Sequence, residues 1–364
     1  MKPYEHGGQV YRWQKKYMLE DSDIIDFSAN INPLGPPRRM IDVIRKETEK
    51  LPNYPEPDAA FLCGKIAGEH GVKYENVIAG NGASELIDLF FLYLRPQKVL
   101  FPAPTFKEYE RVSRAVNSDI YSYYTGDMPL SDHLEDFVAN IKNVSPDVVV
   151  ICTPNNPTGE VLERDHLIKI AEAAREVGGW VLLDKSFMPF VCGDWKAMEW
   201  DEIPQNVVTI YSFTKMFAMA GLRLGYALGP SWLIQGLKSL RNPWSVNHLA
   251  QEAGMVCLDE KEYEVSTRDL ITQEREKMIT KLDNRGFITF PGKANFILVK
   301  MEDLYGLNAR ILWEVFAREG IFIRNAENFK GLSPEYFRIA VRLPDENQRF
   351  LATIDRYLNN FFSF

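Results

Sequence analysis

"DVVVICTPNNPTGEVLERDHLIKIAEAAREVGGWVLLD", residues 147–184, carries the reading that decides the fold. Each end is a short run rich in Val, Ile and Leu without polar alternation, so each reads as a strand covered on both faces. Between them "ERDHLIKIAEAAREVGG" spaces its apolar residues along one helical face and stops at glycine, which accepts the left-handed backbone of a helix end. Strand, helix and strand in that order imply a right-handed crossover between parallel neighbours. "KVLFPAP" at 98–104 and "NVVTIYS" at 206–212 repeat the strand pattern. The expected fold is α/β, a large doubly wound and mostly parallel sheet.

Beyond "RNPWSVNHLA", residues 241–250, the pattern changes. "ITQEREKMITKLDNRG" reads as a charged helix, and the short strands "FILVK" and "FRIAVRL" bracket another helix, "NARILWEVFAREG". That is an α+β arrangement. The expected division is an N-terminal arm at 1–35 packing with the small domain, a large α/β domain at 36–249, and a smaller α+β domain at 250–364. Prolines and a glycine at the end of "DFSANINPLGPP" make the arm read as extended.

The totals narrow the function. A chain of 364 residues is long for a single core, and 46% hydrophobic with 25% charged residues fits a globular protein. A net charge of −8 argues against a nucleic-acid surface or an anionic membrane as partner, so any anionic ligand must be held by a local cluster. The four cysteines are scattered without C-x-x-C, which gives no zinc spacing and fits a reducing compartment. "MKPYEHGGQVYRWQKKYMLE" lacks the apolar core of a signal peptide, and no apolar run approaches membrane-spanning length. The expected location is cytoplasmic.

Sites in an open parallel sheet form beyond the carboxyl ends of the strands. After "NVIAG", Ala83 and Ser84 open a helix whose free N–H groups suit a phosphate. After "KVLFPAP" comes Phe106, an aromatic able to stack on a flat ring. "TPNNPTG" puts Asn156 at the next strand end, and "WVLLD" closes on Asp184. "NVVTIYS" then leads to Ser212 and Lys215, with Arg223 close behind. Taken singly, these residues read as a turn, a core aromatic, a helix cap and a surface lysine. Taken in order they meet the needs of pyridoxal 5'-phosphate. Its aldehyde needs an amine that loses its proton easily, its ring nitrogen a carboxylate, its phosphate amides, hydroxyls and an arginine, and its ring face an aromatic.

"NPTG", the aspartate strand end and "SFTKMFAMAGLRLGY" resemble, in order, the fold-type-I pyridoxal-phosphate enzymes of the histidinol-phosphate aminotransferase branch. The resemblance runs over nearly the whole chain. It implies that Lys215 binds the aldehyde and moves protons, that Asp184 meets the ring nitrogen, and that Asn156 meets the ring hydroxyl. It further implies that Phe106 stacks on the ring while Ala83, Ser84, Ser212 and Arg223 hold the phosphate. "NYPEP" implies a homodimer in which Tyr54 reaches the neighbouring site, and Arg338 matches the carboxylate-binding arginine.

Within that branch "HGGQ", "DFSANINPLGPP", "NPWSVN" and "IRNAENFKGL" resemble the threonine-phosphate decarboxylases of cobalamin biosynthesis. By that resemblance His6, Gly7, Asn30 and Arg324 join Asn156 and Arg338 as contacts of a phosphorylated amino acid. The implied reaction is decarboxylation of L-threonine O-3-phosphate, or of O-phosphoserine, with an aminotransferase as the alternative. Phe187 agrees with the decarboxylases, because the aminotransferases tend to carry tyrosine three residues after the aspartate. "DKSF" departs from the usual Asp-Glu-Ala-aromatic, and strand alternation should point Lys185 away from the ring. "SFTK" also fits the S-x-x-K of penicillin-recognising acylases, but no K-T-G follows.

Overall fold

The computed structural model describes residues 7–193, 204–301 and 308–362. Among the described residues seven strands form the large sheet, in the spatial order Val77–Gly80, Gly225–Leu228, Val207–Ser212, Trp180–Asp184, Val148–Cys152, Lys98–Ala103 and Asp119–Tyr124. Six share one direction. Only Gly225–Leu228 runs against them, turning back on Val207–Ser212 so that Ser212 pairs with Gly225.

The unbroken apolarity of the central strands has its expected cause, since every residue of Val148–Cys152 and Val207–Ser212 is buried. Val148, Val150 and Cys152 pack with Phe90 and Leu233, whose helices Ala83–Leu94 and Ser231–Leu240 cover one face. Val149 and Ile151 point the other way, onto Phe137 and Ile170 of helices Leu134–Val144 and Arg164–Glu176. A strand facing two helical layers has no polar face to show. All six parallel strands therefore end at the same edge, and the loops leaving that edge build the site.

The smaller sheet is antiparallel, in the order Arg324–Asn325, Tyr336–Ala340, Phe296–Met301 and Phe287–Thr289. Its register sets Arg324 directly opposite Arg338. The helices Lys261–Asp283, Ala309–Arg318 and Pro344–Phe362 bring Met278, Phe316 and Phe350 into one apolar cluster with Phe296 and Phe337.

The arm is not extended throughout. Val10–Tyr17 is a helix, because Trp13 finds a partner in Trp313, edge-on at 4.6 Å between ring centroids, and buries against Phe322. Extended backbone begins only further along the arm. Ile25–Asp26 pairs in parallel with Ile321–Phe322, and the Phe27 carbonyl accepts the Ala340 N–H at 2.8 Å. The prolines that suggested extension lie C-terminal to the helix and say nothing about it.

Candidate active site

Apart from Tyr54 and His6, every residue expected to touch cofactor or substrate lines one cavity of about 430 Å³ at the carboxyl edge of the large sheet. His6 lies outside the described residues. Tyr54 projects outward, 79% exposed and stacked on Trp244 at 4.6 Å. Lys185 is fully buried and does not line the cavity, as strand alternation requires.

One end of the cavity is built by close approach. Gly82 caps helix Ala83–Leu94 at φ +80° with no side-chain hydrogen bond, so the first amides of the helix are left to an anion. A Cβ on Gly82 would fall 2.6 Å from Arg223 Nη2, and one on Gly225 would fall 2.6 Å from the Ala83 amide nitrogen. Glycine at both positions lets the guanidinium and the helix start converge. Ser212 caps the short helix Phe213–Met216, accepting from the Thr214 N–H, and the two hydroxyl oxygens lie 2.6 Å apart. Thr214 lines the cavity too, a hydroxyl the sequence reading missed.

Lys215 sits on that helix, half-buried, its side chain opening on the cavity. Burial lowers its ammonium pKa to about 8; the Arg338 and Arg223 guanidiniums push the same way and Asp184 opposes them. An amine so placed is neutral often enough at ordinary pH to attack a carbonyl or take a proton.

Asp184 receives two donors. The Ser186 N–H reaches Oδ1 at 2.9 Å, and the Tyr109 hydroxyl reaches Oδ2 at 2.7 Å. Tyr109 was not anticipated. No spacing in the sequence signals it, because Phe106 lies in the loop before helix Glu108–Ala115. The two rings meet edge to face at 5.7 Å, and both line the cavity.

At the other end, Arg338 donates through Nη1 to Asn156 Oδ1 and through Nη2 to the Ser28 carbonyl at 2.8 Å. Asp26 fixes Ser28 by accepting both its N–H, at 2.8 Å, and its hydroxyl, at 2.6 Å. Ser28 Oγ accepts in turn from the Gly8 N–H at 2.8 Å. Gly7 crosses so close that a Cβ there would fall 2.0 Å from the Ser28 carbonyl oxygen, which explains the glycine in "HGGQ". Arg324 lies over the Phe329 ring and donates to Asn328 Oδ1 at 2.7 Å, another contact the sequence did not suggest.

Like charges directly opposite on neighbouring strands repel. Burial first, and then Arg324, push the Arg338 pKa down, yet a guanidinium starts so high that both side chains stay cationic. Two buried polar atoms of cavity-lining residues, Arg338 Nε and Asn30 Oδ1, have no partner among the described residues. Interiors leave few such groups unsatisfied; the Arg338 Nε–H calls for an acceptor and the Asn30 amide oxygen for a donor, so this end of the cavity suits a guest that carries both.

The sequence profile of aminotransferase class I and II matches residues 22–354. The chain belongs to that family. A protein of Caldanaerobacter subterraneus subsp. tengcongensis provisionally named threonine-phosphate decarboxylase is 34% identical over 361 residues, covering 97% of this chain and 94% of the relative. A histidinol-phosphate aminotransferase of Methanocaldococcus jannaschii is 29% identical over 370 residues, covering 99% of this chain and 96% of its own. The histidinol-phosphate aminotransferase of Sinorhizobium meliloti, solved in complex with pyridoxal 5'-phosphate, superposes with a TM-score of 0.85 over 97% of this chain and 95% of its own; at 18% identity it shows the shared fold. Pyridoxal 5'-phosphate is the family's cofactor, and the glycine-lined phosphate cradle, the lysine and the braced aspartate fit it. Among the described residues no helix is long and apolar enough to cross a membrane.

Proposed function

We propose that the chain decarboxylates an O-phosphorylated amino acid. The first candidate is O-phospho-L-threonine, giving (R)-1-aminopropan-2-yl phosphate; the second is O-phospho-L-serine, giving ethanolamine phosphate. One observation carries this reading: two arginines, paired across adjacent strands, line the same cavity as the reactive lysine. Such a pair costs stability until anionic groups arrive, and a phosphorylated amino acid brings two.

When bound, pyridoxal phosphate supplies the electron sink that lets a bond at the α-carbon break. Asp184 meets the ring nitrogen and keeps it cationic, and Phe106 holds the ring face. The helix start at Ala83, with Ser84, Ser212 and Arg223, holds the phosphate. Asn156 spends its amide oxygen on Arg338, which leaves its nitrogen to meet the ring oxygen. Arg324 and Arg338 bind the two anionic ends of the substrate, helped by Asn30, His6 and the Gly7 backbone. Their grip would decide which α-bond is presented for cleavage. With the carboxylate presented, carbon dioxide would leave, its bonding pair taken up by the electron sink, and the Lys215 ammonium would return a proton to the α-carbon.

Two further points favour decarboxylation. Phe187, buried edge-on to Phe296 at 5.0 Å, offers no hydroxyl to the ring, and the 34%-identical relative carries a decarboxylase name. We also read the working form as a homodimer, with the exposed Tyr54 reaching the phosphate of the partner's site. The test is carbon dioxide release from O-phospho-L-threonine and O-phospho-L-serine by the holoenzyme without a keto acid. Release supports the reading. Turnover of these compounds or of histidinol phosphate only when 2-oxoglutarate is added would make the protein an aminotransferase.

A further inference from the structure

Tyr109 is fully buried at the back of the cavity, and its hydroxyl has one proton to give. Two acceptors lie beside it, Asp184 Oδ2 and the Cys152 sulfur. The carboxylate is the stronger, and Cys152 gives its own S–H to the Pro154 carbonyl at 3.3 Å. Burial and the neighbouring Asp184 hold the phenol pKa well above its ordinary value, and the same causes push the Cys152 thiol up. Both groups stay protonated in the working range. Tyr109 is therefore a permanent donor, and the oxygen it meets must be an acceptor.

We propose that Tyr109 is a positioning residue for the coenzyme, fixing the Asp184 carboxylate in orientation and as an acceptor opposite the ring nitrogen. This rests on the reading of Asp184 as the partner of that nitrogen. With the Ser186 N–H on Oδ1 and Tyr109 on Oδ2, each carboxylate oxygen carries one donor from the protein, and neither can rotate without losing one. The remaining lone pairs are what the cavity receives. Phe106 and Tyr109 also come from one stretch, the loop after Lys98–Ala103 and the start of helix Glu108–Ala115. One segment thus supplies both the aromatic that would face the ring and the hydroxyl that holds the carboxylate.

The test uses Tyr109→Phe, Asp184→Asn and the double variant, each loaded with pyridoxal phosphate. Phenylalanine keeps the ring packed against Phe106, and melting of the coenzyme-free proteins checks that the fold survives. Tyr109→Phe should weaken coenzyme retention at least about ten-fold, the loss expected of a hydrogen bond to a charged group, and move the pH midpoint of the coenzyme's absorbance. In the Asp184→Asn background the same change should add nothing. If Asp184→Asn alters retention and spectrum while Tyr109→Phe matches the parent, the inference falls and the site stands. If Asp184→Asn itself changes neither, the assignment of Asp184 falls and this inference with it.

Discussion

In the coenzyme-free protein Lys215 should make folding stability depend on pH in a direction opposite to that of a salt-bridged lysine. Its folded pKa lies near 8 against an ordinary 10.5, lowered first by burial and then by Arg338 and Arg223. Between those values the unfolded chain binds more protons than the folded one, so stability rises as pH rises. The penalty is absent above 10.5 and complete below about 8, where it amounts to about 3 kcal/mol. Roughly 2 kcal/mol of it should be recovered between about pH 7.5 and 9.5. Lys215→Met removes the charge and keeps the stem. Urea unfolding of both coenzyme-free proteins at the two pH values gives a difference that cancels every other titrating group. The variant should gain over the parent at the lower pH and lose most of that advantage at the higher. An advantage independent of pH would mean that the amine is solvated, and the electrostatic account of its reactivity would be wrong.

Gly82→Ala should loosen the coenzyme phosphate by about ten-fold or more, because the backbone at φ +80° disfavours alanine and the new Cβ would strike Arg223; dialysis followed by absorbance measures it. Arg338→Lys should fail to rescue Arg338→Ala, with both losing roughly 100-fold in kcat/KM, since an ammonium lacks the planar fork whose two nitrogens reach Asn156 and the Ser28 carbonyl separately. Trp13→Ala should free the N-terminal helix, exposing the arm to limited proteolysis and lowering thermal stability by about 3 kcal/mol, while Lys215 still takes up the coenzyme.

The centre of the large sheet was legible because its strands face two helical layers and run almost wholly apolar, Val148–Cys152 most plainly, whereas the half-exposed edge strand Asp119–Tyr124 carries no such run. The strand ends were legible for a related reason, since Asp184, Asn156 and Lys215 stand where apolar runs stop. The arm helix was not, because it depends on Trp313, about 300 residues away in sequence, which no local pattern contains. Tyr109 and Asn328 escaped notice for the same reason. Each acts on another side chain and not on a ligand, and a hydrogen bond between Tyr109 and Asp184 leaves no spacing to read. Arg324 and Arg338 could be named from the family resemblance, but their opposition across two strands is a fact of register.

The antiparallel return of Gly225–Leu228 upon Val207–Ser212 also bears on the order in which the site assembles. These two strands close a short loop, whereas pairing Val77–Gly80 with Gly225–Leu228 spans nearly the whole stretch that forms the large sheet, so the former carries the smaller entropic cost of closure. Lys215 and Arg223 ride within that loop, so the pairing that closes it brings the amine and a guanidinium of the same cavity together at that smaller cost.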